Sequence, residues 1–184
     1  MRKIQIIPKS EKDFAKKLFN QYLIELSEFD DKIKFNSQNQ PEYLWFENYW
    51  TDFGRFPFYF ICEKQIAGLA FIRETGDKQY EVAEFYVCPE FRKNGNAMWL
   101  ASEVIELFDG VFDIGTQLKN NRAIAFWTKV AKLYGVTKFD DDDKTRTWYV
   151  NSKNRKHLYL KKHLAYWQGV FCYWTSSVFK FCRS

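Results

Sequence analysis

The chain predicts a mixed α/β domain: a central, mostly antiparallel sheet with one parallel strand pair, flanked by about four helices. Three observations carry this. The β-rich runs Phe58 to Cys62, Ile66 to Arg73 and Gln79 to Val87 are separated only by tight polar turns and read as an antiparallel meander. The third run leads through a glycine-bearing turn into an amphipathic helix and then into a further strand, Val111 to Thr116, so a right-handed crossover and a parallel pair follow. Four segments place apolar residues at helical spacing. A length of 184 residues suits one compact domain and gives no reason to expect two.

The elements follow in order. Lys3 to Ile7 alternates enough for a short strand. Ser10, with Asp13 three residues on, opens a helix in the manner of a capping box, and Phe14, Leu18, Tyr22, Leu26 and Phe29 then share one stripe. Pro41 suits the first turn of a second helix through Trp50, after the polar linker Asn36 to Gln40. The meander turns at Glu63 to Gln65 and at Glu74 to Lys78. Met98 to Phe108 is a helix with Ala101, Val104, Ile105 and Phe108 on one face, stopped by Asp109-Gly110. Asn120 to Tyr134 is another, closed by Gly135. Val136 to Phe139 and Thr145 to Val150 complete the sheet as a hairpin around the acidic loop Asp140 to Asp143.

Charge divides the chain. The net +5 arises because Asn151 to Ser184 holds seven Lys and Arg and no acid, leaving 21 basic and 23 acidic residues before it. We read residues 1–152 as the folded domain and 153–184 as a basic, aromatic extension. The extension could contact an anionic membrane surface or nucleic acid, or cover the sheet edge of a partner subunit. Cys62, Cys88, Cys172 and Cys182 form no Cys-x-x-Cys pair and both histidines, His157 and His163, lie in the extension, so no metal site is expected. Met1 to Ser10 lacks the apolar core of a secretory signal and no stretch reads as a transmembrane span, which makes cytoplasmic residence the expectation. A homodimer is the default assembly.

The functional signal lies in Glu84 to Ala97. Successive backbone N–H groups in a tight turn at a helix start converge with the positive end of the helix dipole and favour a phosphate. Gly95 lets a ligand approach the backbone, and Arg92 and Lys93 add charge. No Gly-Lys-Ser/Thr follows, as a Walker motif requires, and a dinucleotide fingerprint would need three glycines.

The turn, Arg92 Lys93 Asn94 Gly95 Asn96 Ala97, resembles the Arg/Gln-x-x-Gly-x-Gly/Ala motif of the GNAT N-acetyltransferases, with Glu84-Phe85-Tyr86-Val87 similar to the strand before it. Asn120 to Lys129 resembles that family's second signature, Asn-x-x-Ala-x-x-Phe-aromatic-x-Lys. The likeness covers roughly residues 1–150. It implies acetyl-CoA as co-substrate, its pyrophosphate on Arg92 to Ala97 and its pantetheine arm along Phe85, Tyr86 and Val87, where in that family the strand ahead of the turn splays from its parallel neighbour. Asn120, Phe126 and Lys129 match positions near the cofactor. Glu84 matches a position where the family often places an acid and is the candidate general base, since acetyl transfer needs a neutral amine. Strand alternation sets Glu84 and Tyr86 on one face and Phe85 and Val87 on the other.

Many family members have a tyrosine where this chain has Trp127, and indole cannot protonate a leaving thiolate. Tyr86, Tyr134 or no acid at all remain open for that step. Cys88 could suggest a covalent acetyl-enzyme, but direct transfer in a ternary complex is the expectation. The amine acceptor is expected among Tyr22, Glu25, Phe29, Tyr49 and Trp50, where nine acids face five lysines between Glu11 and Asp52, a field that attracts a cation. The alternative is a non-catalytic CoA-binding module whose extension binds a partner, membrane surface or nucleic acid.

Overall fold

The computed structural model describes residues 1–155; the extension beyond them lies outside the described residues, so the readings placed on it concern sequence alone. Seven strands are present, β1 (Arg2–Ile6), β2 (Arg55–Cys62), β3 (Gln65–Gly76), β4 (Gln79–Val87), β5 (Val111–Gln117), β6 (Asp140–Asp141) and β7 (Thr145–Asn151). They form one sheet in the order β1-β2-β3-β4-β5-β7-β6. Every pairing is antiparallel except β4 with β5. The expected mixed sheet is therefore observed. The β2–β3 turn closes on Glu63 and Lys64, both at positive φ (53° and 68°), which matches the right-handed twist of a hairpin.

Three α-helices are described: α1 (Lys12–Leu26), α2 (Asn96–Glu106) and α3 (Asn121–Leu133). The sheet has a core on each face. Leu100, Ala101, Val104 and Ile105 of α2 and Trp127, Val130 and Ala131 of α3 pack on one side with Phe60, Ile72, Val82 and Phe112. Ala15, Phe19 and Leu23 of α1 pack on the other with Tyr59, Leu69, Phe71 and Tyr86.

Local differences from the sequence reading have physical causes. Ser10 does not cap α1: Lys9–Glu11 forms a 3-10 turn, and the N-cap is Glu11, without a side-chain cap bond. The buried stripe is Ala15, Phe19 and Leu23 rather than one beginning at Phe14, which is exposed. Phe19 sets this rotation by stacking on Phe71 at 5.2 Å and 7°. From Pro41 the chain forms only a short 3-10 helix, Glu47–Trp50. Phe46 and Tyr49 are both buried at a spacing of three, the 3-10 period, whereas Leu44 and Trp45 are exposed and give a longer helix nothing to pack on. The last hairpin pairs Asp140–Asp141, not Val136 to Phe139, with β7.

The start of β5 is held close to β4. Val111 N–H donates to Lys78 O at 2.9 Å and Ser152 N–H to Gly110 O at 3.0 Å. A Cβ on Gly110 would meet Lys78 O at 2.2 Å and the Tyr80 ring at 2.8 Å. Gly110→Ala is expected to cost about 1–3 kcal/mol through overpacking, read as a lower urea midpoint at unchanged m-value.

Candidate active site

β4 builds the centre of the site. Its parallel ladder with β5 spans only Gln79↔Val111, Tyr80↔Phe112 and Glu81↔Asp113. Beyond Glu81 the two strands have no ladder, while β5 continues in register with β7 to Gln117. Backbone groups of Val82 to Val87 on that side are therefore free of strand pairing, the geometry an extended amide-bearing arm can join by strand addition.

A bulge in β4 aims the side chains. Phe71 pairs with Glu84 but Ile72 pairs with Val82, so Ala83 is one extra residue. Val82 packs on the α2/α3 side, whereas Ala83 and Tyr86 belong to the α1 side. Glu84 also faces the α1 side, where the Tyr43 and Tyr22 hydroxyls hydrogen-bond to it. Phe85 points the other way, stacked on Phe126 at 5.5 Å and edge-on to Trp127 at 5.0 Å. The alternation expected for Glu84 through Val87 is observed.

Glu84 is 7% exposed. Burial is the main force that pushes its carboxyl up to about 7; the two hydroxyls oppose the shift, and the negative charges of Glu81 and Asp30 add to it. Tyr22, Tyr43 and Tyr49 are each held above the ordinary tyrosine range, first by burial and then by the Glu84 charge. Tyr22 itself is half-buried. The site is thus a carboxyl in a tyrosine cage that can take a proton near neutrality.

Of the residues expected around an acceptor, Tyr22 and Tyr49 lie with Glu84, and Tyr43 joins them. Tyr43 sits in an irregular segment where no periodicity marks it. Glu25 is engaged elsewhere: it accepts from Tyr86 Oη at 2.7 Å and from Arg92 Nη2 at 2.6 Å. Trp50 donates to Ile7 O at 2.9 Å and packs on Phe46. Phe29 lines a separate cavity of about 240 Å³ with Asp30, Gln117 and Thr145.

The turn at Arg92 to Ala97 is well formed. Asn94 and Gly95 take φ of 59° and 70°, and Arg2 Nη2 holds Asn94 O at 2.9 Å. Asn96 Nδ2 donates to Phe91 O at 3.0 Å, fixing the turn from inside. No side chain caps α2, and a Cβ on Gly95 would meet nothing within 4 Å. Open space therefore faces an uncapped helix start, with exposed Lys93 beside it. These residues fit a pyrophosphate. Arg92 serves the turn mechanically: its Nε donates to Val87 O at 2.8 Å, and its guanidinium lies 5.4 Å from the Tyr86 ring centroid.

The second signature places Asn120 at the N-cap of α3, its side-chain oxygen accepting from Ala123 N at 3.0 Å. Phe126 lines the β4 side through Phe85, and Lys129 is exposed on α3. Tyr134 Oη donates to Glu106 at 3.1 Å, which commits it to the α2/α3 packing. Among the described residues no cluster of His, Cys, Asp and Glu could hold a metal ion, and no helix is long and apolar enough to cross a membrane.

A strand parting from its parallel neighbour, an open uncapped helix start after it and a buried carboxyl upon it are the features an acyl-transfer scaffold would need. The Acetyltransferase (GNAT) family profile matches residues 20–131, and the chain belongs to that family. No curated protein sequence matches it. Among solved structures it is similar to the spermidine N-acetyltransferase of Vibrio cholerae in complex with CoA and spermine, at 13% identity and TM-score 0.59, over 83% of this chain and 96% of that one. It is also similar to the PaiA N-acetyltransferase of Thermoplasma acidophilum in complex with coenzyme A, at 9% identity and TM-score 0.60, covering 82% and 99%. A GNAT-family acetyltransferase of Staphylococcus aureus matches at 18% identity and TM-score 0.56, covering 83% and 99%. At these identities the likeness is one of fold. The co-substrate of the family is acetyl-CoA, which the turn at Arg92 to Ala97 suits.

Proposed function

We propose that this chain transfers the acetyl group of acetyl-CoA to a primary amine by direct attack in a ternary complex, with Glu84 as general base. One observation carries the reading: a carboxyl enclosed by tyrosines and poised at about 7, on the strand that ends in the phosphate turn. Backbone amides of Lys93 to Ala97 would hold the pyrophosphate, and the unladdered edge of Phe85 to Val87, where Val87 O already accepts from Arg92 Nε, would align the arm. Acetyl-CoA supplies the activated acyl group. Glu84, ionised above about pH 7, takes the proton that an ammonium must lose before it can attack.

Direct transfer is favoured over a covalent route because burial, with the Glu90 charge second, pushes the Cys88 thiol up to about 11. Neither hydroxyl considered for the acid is free among the described residues. Trp127 has no suitable proton, and the Tyr86 and Tyr134 hydroxyls already donate to Glu25 and Glu106. The thiolate then leaves unassisted, which a thiol of ordinary acidity tolerates near neutral pH.

The acceptor is best read as a cationic amine. Acids outnumber lysines from Glu11 to Asp52, Asp30 and Glu81 act on the site, and the Vibrio cholerae protein of similar fold is a spermidine acetyltransferase. Cytoplasmic residence, a homodimer and a separate role for residues 153–184 belong to the same reading. The test is a screen of spermidine, aminoglycosides, amino acids and N-terminal peptides, followed by CoA release. Turnover is expected with a cationic amine, and a preference for an anionic acceptor would overturn the electrostatic argument. Tight acetyl-CoA binding without turnover of any amine would make the chain a binding module.

A further inference from the structure

The turn at Arg92 to Ala97 is braced mostly from within. Arg92 Nε holds Val87 O, Asn96 N–H donates to Lys93 O at 3.3 Å, Asn96 Nδ2 to Phe91 O at 3.0 Å and Trp99 N–H to Gly95 O at 2.9 Å. The peptide between Asn94 and Gly95 is braced from outside. Among the described residues its oxygen has one partner, Arg2 Nη2 at 2.9 Å, and its N–H, like that of Asn94, has no acceptor. Arg2 reaches across 92 positions of sequence from β1, where it shares a strand face with Ile4, which packs into the core beneath α2. That bond is the one hydrogen bond of the Arg2 side chain among the described residues.

A trans peptide sets its C=O and N–H on opposite sides, so the bond from Arg2 turns Gly95 N–H away from β1. Asn94 and Gly95 are both left-handed, at φ 59° and 70°. A glycine without a Cβ opposes rotation of the preceding peptide only weakly, and the space around Gly95 is open, with nothing within 4 Å of a Cβ there. Rotation of that peptide would withdraw a donor from the uncapped start of α2 and present a carbonyl oxygen to an anion instead. A charge-assisted bond from a guanidinium opposes that rotation.

We propose that Arg2 is a positioning residue of the donor site: by holding Asn94 O it fixes the Asn94–Gly95 peptide with its N–H free for a phosphate oxygen of acetyl-CoA. The inference rests on the reading of this turn as the donor site. Arg2 lies outside both signature segments, and the signature's own Arg92 is already engaged with Val87 O and Glu25. Arg2 works by population: the apparent affinity for the donor falls in proportion to the fraction of molecules whose peptide faces the right way.

Binding of acetyl-CoA and of its 3′-dephospho form, measured calorimetrically on the full chain, tests this without any acceptor. Arg2→Met, which removes donor and charge together, should raise both dissociation constants by the same factor, about five- to tenfold, the scale of one hydrogen bond to a charged group. Arg2→Lys, which can still donate, should recover part of the loss. The factor should persist at about 1 M salt, where a Debye length of about 3 Å screens attraction across space. In the ligand-free protein the Gly95 amide resonance, assigned with Gly95→Ala, should move in Arg2→Met and return toward its wild-type position in Arg2→Lys. An unchanged affinity, a loss confined to the ligand bearing the 3′-phosphate, or a loss that vanishes at high salt would each overturn the positioning role and leave the donor site standing. A wild type that binds neither ligand would overturn the donor reading as well.

Discussion

Glu84→Gln should make the protein more stable and less active at once. The folded carboxyl titrates at about 7 against an ordinary value of 4.5, so between those values the folded state binds more protons than the unfolded one. Stability from this group is therefore greatest at low pH, falls as pH rises from about 4.5 through about 7, and is absent above that. At pH 8 the wild type carries a buried carboxylate whose cost reaches roughly 3 kcal/mol on an order-of-magnitude scale, and the neutral amide removes it. A melting temperature several degrees higher at pH 8, with little change at pH 4, is the expected result. Acetyl transfer should drop about 10²-fold or more and lose its acid limb near 7. Equal melting temperatures at pH 8 would show that the carboxyl is solvated in the folded state, and full activity would remove it from the mechanism.

Gly95→Trp should abolish binding of acetyl-CoA with the fold intact. At φ 70° the position is left-handed, so any side chain there costs about 1–2 kcal/mol in backbone strain, which Gly95→Ala measures by itself. The indole would extend into the open space before α2, where a Cβ meets nothing within 4 Å, and occupy the place of the pyrophosphate. In the wild type, ligand at about a hundred times its dissociation constant should add roughly 2.7 kcal/mol of stability, visible as a thermal shift. That shift should persist in Gly95→Ala and vanish in Gly95→Trp. A retained shift in Gly95→Trp would move the donor site away from the turn.

Much of the scaffold is legible in the residues because it rests on short-range signals. The runs through β3 and β4, the turn at Gly95 and the stops at Gly110 and Gly135 all carry local chemistry, and β4 occupies Gln79–Val87 as its alternation predicts. The seating of α1 is not legible, since Phe14 and Phe19 are equally apolar and only the fit of Phe19 against Phe71 chooses between them. The segment after Pro41 depends on burial of Phe46 and Tyr49 against a surface built elsewhere in the chain. In the site, Glu84 can be read from its place on the strand. The approach of Glu81 to the same face cannot, because a one-residue bulge reverses parity between 81 and 84 and leaves no mark in composition. Tyr43 is equally silent, and the engagement of Glu25 with Arg92 is a contact between residues 67 positions apart.

That last contact ties the two halves of the site together. Arg92 belongs to the turn suited to the donor, and Glu25 to α1, which the proposed acceptor would border. By reciprocity, any ligand that tightens one half strengthens binding at the other by the same factor. The side chains are 40% and 42% exposed, so solvent limits the exchange to about 1 kcal/mol, or roughly fivefold in affinity. Coupling through this one pair is thus mild by construction.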